Sequence, residues 1–275
     1  MASDNYDELW RQMLEDGVSL LHAERFFYRL IPSDPRCSQC KAPFGGSGGK
    51  ILRNVFRVRR SNHNPSMCNL CDHWFQTHPG GAEAEIALMF ADVRGSTKIA
   101  ERMSPVEFSQ LMDRFYTVAT TAIVRTDGLI EKFVGDEAAV MYFPGLAGPD
   151  YTRRAIEAAQ HILELTGHRD PVGPWLPVGV GVHRGRAYVG VVGSGGVRQL
   201  TVLGDIPNTV ARLASVARQG EVFISEAAYE AGGRDLGDLE RRELELKGKD
   251  EPFGVRVLTV MPETAGRETK TIPLP

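Results

Sequence analysis

Apolar residues in the first thirty positions, Leu9, Met13, Leu14, Val18, Leu21, Phe26, Phe27 and Leu30, recur mostly at helical spacing, with a break near Gly17 and a stop at Ile31-Pro32. This predicts one or two amphipathic helices over 1–31, packed on the rest of the protein or on a partner copy. From 32 to 80 the periodicity fades, and the segment, rich in Pro, Gly, Cys and Arg, reads as a small module held by a metal. HPGGAE (78–83) reads as a linker, and EIALMFADV (85–93) as a short buried strand. A long helix follows, opened by Ser104 as N-cap, Pro105 in the first turn and Glu107 three residues after the cap.

Two strands then flank a tight Gly-Asp turn in GLIEKFVGDEAAVMYFP, and DYTRRAIEAAQHILELTG predicts a helix with Asp150 as cap and Gly167 as stop. LPVGVGVHRGRAYVGVVGSGGVRQLTVLG reads as strands separated by glycines, DIPNTVARLASVA as a helix, and 221–260 as short strands and a helix. Helices alternate with strands around a central hairpin, so the fold class is α+β, a ferredoxin-like mixed sheet covered by helices rather than a doubly wound parallel one. The expected divisions are a helical region (1–31), a four-cysteine module (32–80), a main domain (81–262) and a tail (263–275).

Composition narrows the functional classes. The chain has 275 residues, 42% hydrophobic and 24% charged, with a net charge of −3, which is globular and argues against wholesale binding to nucleic acid or an anionic membrane. No apolar run reaches membrane-spanning length and the N-terminus is acidic, so the reading is a cytoplasmic protein. Asp92 ends an apolar strand before the VRGST turn, and Asp136 sits at the tip of a hairpin. Carboxylates so placed can hold hard cations while turn amides face phosphate oxygens, the makings of a two-metal phosphoryl-transfer site.

FADVRGST, EKFVGDE, LGDIPNTVARLAS and ELKGK, in this order and spacing, resemble the catalytic domain of the class III nucleotidyl cyclases over roughly residues 84 to 260. The resemblance implies a ferredoxin-like palm domain acting as a head-to-tail homodimer that converts a nucleoside triphosphate to its 3′,5′-cyclic monophosphate and pyrophosphate. It implies that Asp92 and Asp136 bind two Mg²⁺ or Mn²⁺ ions per site, with the Val93 carbonyl and the amides through Thr97 completing the cradle. Lys132 and Thr201 match the positions that read the purine, and a Lys suits the N1 acceptor of adenine, so the resemblance favours ATP. Asn208 and Arg212, four residues apart on one helix, match the residues that orient the ribose and stabilise transition-state charge, and Lys247 matches a triphosphate contact. In such a dimer each site draws its aspartates from one protomer and Lys132, Thr201, Asn208 and Arg212 from the other. A cyclase for GTP or a pyrimidine triphosphate is the alternative.

All four cysteines fall in two CxxC pairs, Cys37/Cys40 and Cys68/Cys71. Four thiolates suit one tetrahedral structural zinc per chain, with an iron–sulfur cluster as the other reading, and leave His63, His73 and His78 as surface residues. Lys50, Arg53, Arg57, Arg59 and Arg60 around Phe56 raise a non-enzymatic alternative, a zinc-dependent nucleic-acid-binding regulator with a degenerate cyclase domain, against which the acidic chain and the ordinary solvation of short charge runs both weigh. GGSGG (45–49) mimics a nucleophile elbow and runs into Lys50, yet no strand precedes it and Ile51 stands where a phosphate loop needs Ser or Thr. Its glycines are expected to serve a tight turn near the metal.

Overall fold

The computed structural model describes residues 3–31, 33–62, 64–193, 198–248 and 251–262. The expected tail at 263–275, together with Pro32 and His63, lies outside the described residues. Two helices open the chain, α1 (Ser3–Glu15) and α2 (Ser19–Arg29), with Gly17 between them at φ +78° as the break in periodicity suggests. The cysteine segment is less irregular than its sequence reads, since it contains α3 (Gly46–Val55) and α4 (Asn69–Thr77). The GGSGG run is the start of α3 rather than a loop. A Cβ on Gly49 would sit 2.4 Å from the Phe44 carbonyl carbon, so the glycine allows close backbone approach.

The supposed linker is strand. β1 spans Gly80–Val93, because its first residues extend the ladder with β4 through pairs such as Gly81 with Gly190. Then come α5 (Ser96–Ala100), α6 (Pro105–Arg125), β2 (Leu129–Val134), β3 (Glu137–Tyr142), α7 (Pro144–Ala147), α8 (Tyr151–Leu165) and β4 (Val178–Val192). The chain continues through β5 (Gln199–Leu203), α9 (Asp205–Val216), β6 (Glu221–Ser225), α10 (Glu226–Gly232), β7 (Glu240–Leu244) and β8 (Phe253–Thr259). The glycines of β4 do not divide it. They lie inside one 15-residue strand, where a Cβ on Gly181 would meet the Ala214 amide nitrogen at 2.6 Å, so its missing side chain lets α9 lie against the sheet.

The strands form one sheet in the order β2-β3-β1-β4-β6-β8-β7, with β5 also paired to β4. Only the β4–β6 pairing is parallel among these ladders, which makes the sheet mixed and the fold α+β, as the sequence implies. Ser104 and Glu107 close a full capping box on α6. Asp150 precedes α8 without capping it through its side chain, which instead pairs with Arg153 at 3.7 Å.

Alternation along β1 divides the core. Ala87, Met89, Ala91 and Val93 face Phe115 and Ala119 of α6 and Ile156 and Ile162 of α8. Ile86, Leu88 and Phe90 face the opposite way, where they share a cluster with Trp10, Met13 and Leu14 of α1, Cys37, Cys40 and Phe75 of the cysteine segment, and Ile206 and Val210 of α9. The N-terminal region therefore packs as core on the second face. Among the described residues no helix is long and apolar enough to cross a membrane.

Candidate functional site

The register places Asp92 next in the second-face series Ile86, Leu88, Phe90, at the point where the stripe turns from apolar to carboxylate. Asp92 is paired with Glu137 on β3, whose neighbour Asp136 sits in the hairpin turn after Gly135 (φ +59°). The Val93 amide donates to the Asp136 carbonyl at 3.1 Å, so strand end and hairpin tip are pinned together. Tyr116 of α6 braces the same tip, its hydroxyl donating to the Gly135 carbonyl while its ring stacks on Phe133 at 4.4 Å.

A cation already lies among these carboxylates. The Arg94 guanidinium contacts the Asp92 carboxylate and donates to the Ser215 carbonyl at 2.5 Å. Burial lowers the Arg94 pKa, and the charges of Asp136 and Glu137 oppose that shift. Burial, then the Asp136 charge, pushes the Glu137 carboxyl up. Carboxylates are the donors a hard divalent cation takes, and here the Arg94 guanidinium pairs with one of them, Asp92. The phosphate cradle is narrower than the sequence suggests, because the Val93 and Arg94 amides are spent on the Asp136 and Pro177 carbonyls. Thr97 stands exposed on α5 beyond them.

Lys132 and Thr201 come together through a residue that the sequence did not single out. Buried Glu131 accepts the Thr201 hydroxyl at 2.7 Å and lies 3.5 Å from the Lys132 ammonium. The β2 register slips between Ile130 and Lys132. Adjacent residues of a regular strand face opposite sides, so this irregularity is what brings two consecutive side chains to one wall. Glu131, Lys132 and Phe133 line a cleft of about 1350 Å³ together with Arg36, Arg60 and Met67 of the cysteine segment. Asp92 and Asp136 are not among its lining residues.

The remaining expected residues cluster on α9. Asn208 is exposed and Arg212 half-buried, its guanidinium against Gly248 in the turn that carries exposed Lys247. Arg184 and Arg186 make cross-strand ion pairs, with Glu85 at 2.6 Å and Glu83 at 3.3 Å. In the basic run, Lys50, Arg53, Arg57, Arg59 and Arg60 are all exposed, and Arg60 lies over the Phe44 ring.

The four cysteines converge. Their sulfurs all lie within 4.8 Å of one another, Cys40 and Cys68 at 3.7 Å. Thiolates bound to one ion by bonds of about 2.3 Å at tetrahedral angles stand about 3.8 Å apart, so the cluster fits a single tetrahedral metal. Backbone amides point at the sulfurs in support, Cys68 to Cys37 at 3.2 Å and Cys71 to Cys68 at 3.4 Å. His73 is exposed and His78 stacks on Trp74, so neither joins the cluster.

Comparison with known proteins bears on the main domain. The family profile described as "Adenylate and Guanylate cyclase catalytic domain" matches residues 81–258. An uncharacterised protein of Mycobacterium tuberculosis is 29% identical over 245 residues, 86% of this chain and 41% of that protein. An adenylate cyclase of Anabaena cylindrica is 28% identical over 185 residues, 62% of this chain and 36% of that protein. The chain thus spans about two fifths of the length of the curated relatives it matches. Two crystal structures share the fold. The guanylyl cyclase Cya2 has a TM-score of 0.60 at 24% identity, covering 70% of this chain and 100% of that one. The adenylyl cyclase CyaB from P. aeruginosa has a TM-score of 0.55 at 22% identity, covering 69% and 100%.

Proposed function

Because the chain belongs to the family of adenylate and guanylate cyclase catalytic domains, we propose that it converts ATP to 3′,5′-cyclic AMP and pyrophosphate at a site shared between two copies. The observation that carries this reading is the meeting of Lys132 and Thr201 at Glu131, beside a cleft that Glu131 and Lys132 line. The Lys132 ammonium donates to adenine N1, with the Thr201 hydroxyl as its neighbour. Asn208 orients the ribose, Arg212 stabilises charge developing on the phosphates, and Lys247, one residue from the glycine that Arg212 touches, holds the triphosphate. Divalent Mg²⁺ or Mn²⁺ on Asp92, Asp136 and the Val93 carbonyl would supply charge neutralisation and Lewis acidity at the reacting oxygens. The four cysteines, whose sulfurs lie within 4.8 Å of one another, are read as holding one structural ion, with zinc as the metal that four thiolates suit best.

A second reading, GTP as substrate, is favoured by Glu131. Guanine presents an N–H donor where adenine presents an acceptor, and a carboxylate beside Thr201 suits a donor. Offering all common nucleoside triphosphates together with Mg²⁺ or Mn²⁺, and identifying the products by mass spectrometry, decides between the bases. Cyclic AMP as the main product is the expected outcome, and cyclic GMP in excess would replace it with the second reading. For the shared site, Asp92→Ala and Arg212→Ala are each expected to be inactive alone and to recover roughly a quarter of wild-type activity when co-expressed, since about half of randomly paired dimers are mixed and each has one good site. Mixed dimers that form yet stay dead would place each site within one chain.

A further inference from the structure

Between the cysteine cluster and β2 lies a buried ion cluster that cyclisation does not use. Asp127, 3% exposed and at φ +64°, forms the turn joining α6 to β2. Four cations converge on it. Arg25 of α2 reaches Oδ1 at 2.5 Å, Arg29 at 2.6 Å, and Lys41, the residue after Cys40, at 3.0 Å, while Arg154 of α8 contacts Oδ2. Lys41 and Arg25 are themselves buried, at 2% and 5% exposed. Lys41 also donates to the Val124 carbonyl near the end of α6, and Arg25 donates to the Gln39 carbonyl inside the Cys37–Cys40 loop, each at 2.5 Å. The short stretch from Cys37 to Lys41 therefore grips both α2 and the turn that launches the strand carrying Lys132.

The charges of this cluster do not balance within it. One carboxylate faces four cations, of which Arg29 and Arg154 reach solvent while Arg25 and Lys41 are buried, and the buried excess is costly unless an opposite charge stands close by. Arg25 stands at the cysteine loop, donating to the carbonyl of Gln39 between Cys37 and Cys40. Four thiolates on a divalent ion carry a net charge of two minus, enough to offset the buried excess of Arg25 and Lys41 over Asp127.

We propose that the four cysteines hold one divalent ion as a dianionic tetrathiolate centre, and that this centre regulates the cyclase by fixing β2 through Lys41, Arg25 and Asp127. With the ion bound, the Cys37–Ala42 loop is rigid and Lys41 clamps Asp127. Without it the loop loses its anchor, Asp127 loses a partner, and β2, which starts two residues later, gains freedom at Lys132, as does the turn after it at Asp136. Asp127 and Lys41 are positioning residues, acting on the substrate site through β2. The cyclase reading is needed only for the activity arm of the test.

The test uses the full chain. Elemental analysis should give about one zinc per chain, and its absence, or iron with inorganic sulfide, overturns the assignment. Stripping the ion with a zinc chelator in excess Mg²⁺ should raise amide exchange across 127–134 roughly tenfold, leave β8 protected, and lower turnover; re-adding Zn²⁺ should reverse all three. Lys41→Met should keep its zinc yet exchange like the stripped protein, whereas Lys41→Arg should keep wild-type protection. If Lys41→Met fails to fold, as loss of protection in β8 would show, Asp127→Asn replaces it with the same expectation. Unchanged protection of 127–134 in the stripped protein, or in the folded zinc-bound variant, overturns the latch. If no form cyclises any nucleotide the cyclase reading falls, and amide exchange still decides the latch.

Discussion

The two faces of the sheet are covered in different ways. The first is sealed by α6 and α8 of the cyclase domain, with Phe115, Ala119, Ile156 and Ile162 fully buried. The second is shared. The N-terminal helices and cysteine segment cover the stretch around Ile86 and Leu88, α9 covers another part, and the stripe ends at Asp92 beside Glu137 and the hairpin tip. A face sealed by its own helices gives stability alone. A face only partly sealed, in part by the segment that carries the four cysteines, leaves a polar end at Asp92 and Glu137.

The sharpest break between core and polar end is Asp136→Ala. It removes the turn carboxylate proposed to bind a catalytic metal, so cyclisation should fall about a thousandfold while the unfolding midpoint stays within a few degrees. Initial rates and thermal melts on one preparation check this, and substantial remaining activity would remove the two-metal assignment. The next test asks whether the two covers count equally. Trp10 is fully buried, packed on Phe75 with ring centroids 5.6 Å apart, and donates to the His78 carbonyl at 3.2 Å. Trp10→Ala should destabilise by about 3 to 5 kcal/mol, as much as Phe115→Ala on the other face. A cost below about 1 kcal/mol in denaturant titration would make the N-terminal region an appendage.

Much of this was legible in the chain, and the misses share physical causes. The capping box at Ser104, the helix at 205–216 and each CxxC pair follow from local spacing, because a cap or a chelate loop is closed by neighbours in sequence, while the meeting of the two pairs follows from the preference of one ion for four thiolates. The glycines of β4 misled because glycine marks both breaks and close approaches, and only the packing of α9 on Gly181 tells them apart. Gly80 and Gly81 failed as a linker for the same reason, since their partners on β4 lie about a hundred residues on. Glu131 and Asp127 were invisible because what distinguishes them is made across long separations, to Thr201 and to Lys41. Charge pairs of that kind leave no periodic trace.

At the purine wall, Lys132→Glu with Thr201→Cys should invert hydrogen-bond polarity and shift the ATP-to-GTP ratio of kcat/KM by about tenfold or more toward GTP. Glu131→Gln sharpens this test. If the carboxylate only holds Thr201, the amide keeps an acceptor for that hydroxyl and ATP turnover should drop by no more than a few-fold. If the carboxylate reads guanine, GTP turnover falls and ATP turnover does not. Competition assays with both nucleotides in one vessel separate the cases.

The smallest effect is expected where the sealed face supports the open one. Tyr116 belongs to α6, which covers the first face, yet its hydroxyl donates to the Gly135 carbonyl and its ring stacks on Phe133, so it steadies the turn that presents Asp136. Tyr116→Phe removes only the hydroxyl. The ring contact stays, and the carbonyl it leaves can turn to water, so the net loss should be near that of one hydrogen bond, about 1 kcal/mol. That loss should appear as a roughly three- to tenfold weaker requirement-curve midpoint for Mg²⁺, with saturating turnover little changed and no shift in thermal midpoint, because a looser hairpin costs metal binding before it costs chemistry. Tyr116→Ala, which also removes the stacking, should weaken Mg²⁺ further. Identical Mg²⁺ titrations for wild type and Tyr116→Phe would mean that the Val93 to Asp136 backbone bond alone holds the tip, and that the two faces meet there without mechanical consequence.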